Sequence, residues 1–193
     1  MRILLAELIY ADRGSRLTLG SRSNSDSLPP GELPQLRDLD QPHVFDIRLY
    51  NRQFRFEFYD TSSPTNYTLL HPHFVILCYD ISSRSSLEAL TGRWKWEVES
   101  HFNYDESLPV MVLGLKRDLR KEWTEEEKSA NGKGESVMPQ EALGLAQSMR
   151  VDRYAECSAL TGELCKEVLE DIAKTAAKAN GGEGKSEGGC VVM

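Results

Sequence analysis

The sequence predicts an α/β domain with a mostly parallel sheet, and three observations carry that expectation. Residues 74–79 and 110–115 are apolar throughout, as strands covered on both faces are. Between them, Leu87, Leu90, Trp94, Val98 and Phe102 recur at helical spacing. Before them, two runs alternate apolar with polar residues across a short turn-rich link, the pattern of a hairpin. Strands alternating with helices after one early hairpin define the class.

The elements follow in order. Arg2-Ile3-Leu4-Leu5 is a short apolar run suited to a buried strand. From Gly20 to Gln41 the composition shifts to Ser, Pro, Asp and Gly, a long loop of the kind that is either functional or disordered. The hairpin pairs residues 44–50 with 54–60 through a turn at Asn51-Arg52. A helix runs from Ser83 to His101 and is opened by Ser-rich capping residues. Pro139 suits the first turn of another helix. Tyr154 to Cys157 form a short strand, and Gly162 to Ala179 a last amphipathic helix through Leu164, Val168, Leu169, Ile172 and Ala176.

Composition narrows the function. The chain has 193 residues and 21.8 kDa, enough for one domain and a tail. It carries 23 basic against 30 acidic residues, a net charge of −7, which excludes nucleic-acid binding by broad phosphate neutralisation. No apolar run reaches the length of a membrane span, and Glu7 and Asp12 interrupt the apolar start, so it is a poor signal peptide. Cys78, Cys157, Cys165 and Cys190 lack metal-ligand spacing and read as reduced thiols of a cytosolic protein, the first three as core fillers. His43, His71, His73 and His101 show no metal spacing either.

In parallel sheets, ligands bind at the carboxyl ends of the strands. Three segments belong there: Asp60-Thr61-Ser62-Ser63-Pro64, Leu115-Lys116-Arg117-Asp118 and Cys157-Ser158-Ala159-Leu160. A carboxylate after a strand, such as Asp60, can hold Mg²⁺ through water. A Lys-x-Asp can lay the Lys116 stem over a purine while Asp118 accepts two N–H bonds. The Ser158-Ala159 turn can offer backbone N–H groups to a carbonyl. Taken alone, an Asp after a strand is usually a turn or cap residue, and Lys116 and Asp118 are more often solvated turn charges.

Their order and spacing resemble the small GTPases, and within them the Rho family. Asp60-Thr61 stands where that family has Asp-Thr-Ala-Gly-Gln, Leu115 to Arg120 where it has Asn/Thr-Lys-x-Asp-Leu, and Glu156 to Leu160 where it has Glu-Cys-Ser-Ala-Lys. Arg93-Trp94-Lys95-Trp96-Glu97-Val98 resembles the Rho-type helix before the guanine motif, and residues 121–137 fall where Rho proteins carry an insert helix. Cys190-Val191-Val192-Met193 matches a prenylation box. The resemblance covers roughly residues 44–193. It implies a P-loop NTPase-like small-GTPase fold, a mostly parallel six-stranded sheet with helices on both faces. It implies a domain over residues 1–179, with a loop at 20–41, the insert at 121–137 and a flexible tail at 180–193.

The departures gather on the phosphate side. The family's Gly-rich loop ends in Gly-Lys-Ser/Thr, whereas residues 12–19, Asp-Arg-Gly-Ser-Arg-Leu-Thr-Leu, have no Lys before the Ser or Thr. No Thr lies between Leu19 and Asp60 to ligate Mg²⁺ from the first switch. Ser63 replaces the Gly that meets the γ-phosphate, and Pro64 the water-orienting Gln. Leu115 and Leu160 replace polar residues of the base motifs. The implied site is therefore Lys116, Asp118, Ser158, Ala159 and Asp60, with no catalytic residue and no metal site assigned. It is expected to bind GTP or GDP weakly with little Mg²⁺ dependence. The implied partners are Rho-type effectors and regulators and a membrane, plasma or internal, reached from the cytoplasm through prenylated Cys190, with no nucleic acid. Two readings stand: a Rho-type GTP-binding signalling protein, or a pseudo-GTPase that keeps the fold as a protein-binding scaffold.

Overall fold

Side-chain alternation along the strands decides which residues meet which helices. A computed structural model describes residues 2–6, 42–49, 52–61, 71–103, 107–123 and 134–179. The strands are β1 (Arg2–Ala6), β2 (His43–Leu49), β3 (Arg52–Thr61), β4 (Phe74–Asp80), β5 (Val110–Leu115) and β6 (Arg153–Glu156). They lie in the order β2-β3-β1-β4-β5-β6. β2 and β3 form the expected antiparallel hairpin, with Phe45 opposite Phe56. β1 runs parallel to both β3 and β4, and β4, β5 and β6 are parallel to one another. The carboxyl ends of β3, β4, β5 and β6 therefore share one edge.

The helices are α1 (Arg84–Ala89), α2 (Lys95–His101), α3 (Pro139–Ser148) and α4 (Cys165–Ala179). On β4 the odd positions Val75, Leu77 and Tyr79 join Leu87, Leu90, Trp94 and Val98 and α3's Ala142 and Ala146 in one core. The even positions Phe74, Ile76 and Cys78 join Phe56, Phe58, Met111, Leu113 and α4's Val168, Ile172 and Ala176 in a second. Continuous apolar runs are what such two-sided burial requires. Phe45 meets Phe58 edge-on, with ring centres 5.5 Å apart. Gly114 is a packing requirement: a Cβ there would sit 2.7 Å from the Tyr79 hydroxyl oxygen.

Five expectations need correction. The helix from Ser83 is not continuous, because a π-helical turn at Leu90–Trp94 separates α1 from α2. Leu90, Trp94 and Val98 are each four residues apart, a spacing that drifts off one face of a 3.6-residue helix. One wide turn restores that face, leaving Trp94 and Val98 each only 4% exposed. Ser83, at the N-cap of α1, makes no side-chain cap; instead the Ser86 hydroxyl donates to its carbonyl at 2.6 Å. Leu164 is exposed, with φ 58°, and α4 begins only at Cys165. The segment before it closes on itself, Gly162 N–H donating to the Ser158 carbonyl and Ser158 N–H to the Glu163 carbonyl. Cys165 is half-buried, where a core position was expected.

The strand expected over Tyr154 to Cys157 lies one residue earlier. Trp94 packs inward and Trp96 is exposed, as the two were expected to divide. Among the described residues no helix is long and apolar enough to cross a membrane. Residues 12–19, the whole of the expected 20–41 loop, Ser63, Pro64, residues 124–133 of the expected insert and the expected 180–193 tail with Cys190 lie outside the described residues.

Candidate functional site

The shared carboxyl edge collects the expected residues. Asp60, whose backbone alone is described, lies next to last on β3, opposite Leu5. Lys116 follows β5 directly in the left-handed region at φ 58°. For a residue with a Cβ this conformation costs on the order of 1 kcal/mol, and such strain collects where a side chain must be aimed. It turns the chain into the 3-10 turn Arg117–Leu119, which presents Asp118 to solvent.

The end of β6 is tied to this turn. Arg117 N–H donates to the Cys157 carbonyl at 3.1 Å, and Cys157 N–H to the Gly114 carbonyl at 2.9 Å. These bonds bring Ser158, fully buried, beneath Asp118, and the Ser158 hydroxyl donates to Asp118 Oδ1. The same oxygen of Ser158 accepts Thr161 N–H at 3.2 Å. Asp118 is thus an exposed carboxylate with one oxygen anchored from below. Ala159, next in the chain after Ser158, is half-buried, and Leu119 and Leu160 stand exposed on the same loops. The backbone N–H of Ser158 is taken by the Glu163 carbonyl, so that part of the expected backbone donation is already used inside the protein.

Lys116 departs from its expected setting. Its Nζ lies 2.9 Å from Asp80 Oδ2, and both side chains are largely buried. Asp80 Oδ1 accepts the Ser82 N–H at 2.7 Å and the Ser82 hydroxyl at 2.6 Å. Burial raises the Asp80 pKa, but the Ser82 and Lys116 hydrogen bonds outweigh it and hold the carboxyl below its usual range. Sequence reasoning missed Asp80 and Ser82. The signal was present, since Asp80 directly follows an apolar run just as Asp60 and Lys116 do.

A second missed cluster supports the loops. Glu156, 8% exposed, receives both ends of the Arg120 guanidinium at 2.8 and 2.5 Å. The Tyr154 hydroxyl also donates to it, and the Tyr79 hydroxyl reaches it at 3.5 Å. Burial raises the Glu156 pKa, yet the Arg120 and Tyr154 bonds bring it below the carboxylate norm. Burial pushes both tyrosines well above theirs. Arg120 Nε also donates to the Val137 carbonyl at 3.2 Å, so the cluster joins the turn Arg117–Leu119 to the chain before α3. Burial pushes the Cys157 thiol up to about 12 and raises Cys165 as well, which makes both poor nucleophiles near neutral pH.

Among the described residues no group of three His, Cys, Asp or Glu side chains is placed to hold a metal ion. The polar edge thus presents one exposed carboxylate acceptor, a buttressing hydroxyl and a lysine whose ammonium is paired. The family model of the Ras family matches residues 41–178, well over half of the chain, and the mixed α/β architecture with its parallel β4-β5-β6 sheet fits that family's fold. The chain belongs to the Ras family, the small GTP-binding proteins.

Proposed function

We propose that this is a Rho-type small GTP-binding protein of signal transduction that has kept the base half of its nucleotide site and lost the catalytic half. Its domain spans residues 1–179 on a six-stranded sheet with helices on both faces, followed by a tail at 180–193. The observation that carries the base half is the exposed Asp118 carboxylate anchored by the buried Ser158 hydroxyl. Guanine offers two adjacent N–H groups, and a fixed carboxylate accepts both. The Lys116 stem covers the ring, and Ala159 lies beside it. Asp60 is the position that faces Mg²⁺ in the family, but no first-switch Thr accompanies it, so Mg²⁺ carries no assigned step here.

Hydrolysis is the other half. Pro64 has neither a side-chain amide nor a backbone N–H to orient water, and no Gly-rich loop with its Lys follows the first strand to stabilise phosphoryl charge. The protein therefore stands at the pseudo-GTPase end of its family and acts through contacts with effectors and regulators. Calorimetry with GDP and GTP, with and without Mg²⁺, tests this. Weak binding of both, indifferent to Mg²⁺, is expected together with negligible single-turnover hydrolysis. Tight, Mg²⁺-dependent GTP binding or hydrolysis at an ordinary small-GTPase rate refutes it.

Cys190 in the terminal Cys-Val-Val-Met supports a membrane tether, and Met193 in the last position favours farnesyl. One lipid chain gives only marginal affinity. The tail sets Lys185 against Glu183 and Glu187, so no polybasic patch adds to it. Membrane association is expected to be reversible, less sensitive to salt than that of a protein with a Lys-rich tail, and lost in Cys190→Ser. A Cys190→Ser variant that still sediments with membranes removes this part of the reading.

A further inference from the structure

Asp80 has no role in the reading above, yet both of its carboxylate oxygens are engaged. Ser82 holds Oδ1 through its N–H and its hydroxyl, and Lys116 Nζ lies 2.9 Å from Oδ2. Its backbone is held as well. Asp80 N–H donates to the Ser86 Oγ at 2.9 Å, and that hydroxyl reaches back to the Asp80 carbonyl at 3.1 Å. At the other end of the pair, Lys116 is rooted in a left-handed backbone conformation at the end of β5. The two side chains are only 14% and 16% exposed.

We infer that Asp80 is the positioning residue of the base site: from the end of β4 it fixes the Lys116 ammonium, so that the stem is clamped at both ends across the place where a base stacks. The inference rests on the guanine reading for its ligand. A lysine has four side-chain torsions to immobilise, and a counter-ion that immobilises them before ligand arrives spares binding that entropy. Desolvation makes the pair stiffer than an exposed one, since little water competes for either group. Ser82 and Ser86 act one step further out by holding Asp80 itself.

The test uses the full chain and two readouts. The first is the NMR signal of slowly exchanging lysine ammonium protons, assigned to Lys116 by its loss in Lys116→Met. It is expected in the wild type and in Asp118→Ala, and absent in Asp80→Asn. The second is calorimetry with GDP. Asp80→Asn is expected to weaken binding about tenfold in the wild-type background, and not at all when Lys116→Met is already present. An ammonium signal that survives Asp80→Asn, or equal losses in both backgrounds, overturns the inference. If the wild type binds no GDP, the guanine reading falls, and the ammonium signal alone then decides whether Asp80 fixes Lys116. Should Asp80→Asn fail to fold, Ser82→Ala removes the hydroxyl bond to Oδ1 and leaves the backbone N–H bond in place; it is expected to speed ammonium exchange, and unchanged exchange overturns the proposal.

Discussion

Replacing Asp118 with alanine is expected to remove guanine-nucleotide binding altogether. The carboxylate would accept two N–H bonds from the base, each charge-assisted and worth about 1.5–3 kcal/mol. Losing both costs at least a hundredfold, since about 1.4 kcal/mol is tenfold. A site with a complete phosphate grip would still bind after such a loss, but one without it starts weak and falls below detection. The same geometry sets selectivity. Adenine turns a lone pair toward the position of one guanine N–H and lacks the other, so it leaves the carboxylate unpaired and is rejected. Calorimetry of GDP and ADP against wild type and Asp118→Ala checks both parts. Equal affinity for GDP and ADP, or GDP binding that survives the substitution, contradicts the assignment. Asp118→Ala also takes the acceptor from the buried Ser158 hydroxyl, at a cost of about 1–3 kcal/mol, so a thermal melt that stays cooperative separates lost recognition from lost fold.

Replacing Arg120 with alanine is expected to cost about 3 kcal/mol of folding stability, because it strands a buried carboxylate. Glu156 would keep the Tyr154 hydroxyl and a distant Arg117 Nε at 3.8 Å, but not its two-pronged partner. The effect has a defined pH dependence. The folded pKa of Glu156 lies below its unfolded value, so the ionised group stabilises the fold above the unfolded carboxylate pKa, about 4.3. That contribution disappears as pH falls through the lowered folded value. In the Arg120→Ala protein, burial acts with less opposition, and the carboxyl protonates at higher pH. The stability gap between wild type and variant should therefore be full at pH 7 and shrink below about pH 4. Urea unfolding at pH 7 and at pH 3 measures it. A gap below about 1 kcal/mol at pH 7, or one that does not shrink in acid, shows that the cluster is not the support described.

Local pattern made much of this legible. The apolar runs of β4 and β5 specify strands buried on both faces, because only such strands need no polar side. Alternation in the hairpin specifies one buried face, and Pro139 marks a helix start because its missing N–H is not needed there. Lys116, Asp118 and Ser158 were recognisable together, since their order and spacing place all three after strands. The turn Arg117–Leu119 and the buried Ser158 then bring two of them into contact across 40 residues of sequence.

Other features depend on neighbours that no local window contains. The break in the helix after Ser83 accompanies the packing of Leu90, Trp94 and Val98 into one core, whose spacing of four residues one wide turn aligns more closely than a regular helix. Leu164 has the right spacing for α4, but the turn from Ser158 to Glu163 closes first and leaves it outside. Lys116 looked like a cation free to cover a ligand, and only the parallel register of β4 with β5, Asp80 opposite Leu115, puts a carboxylate within its reach. Glu156 reads as part of a motif, and packing makes it the acceptor for a guanidinium and two tyrosines drawn from three separate segments. Taken alone, the sequence determined the class of fold and which edge of the sheet carries polar chemistry, since both follow from periodicity and from the ends of strands. Tertiary structure alone decided which charges on that edge are paired, because pairing depends on distances between segments far apart in the chain.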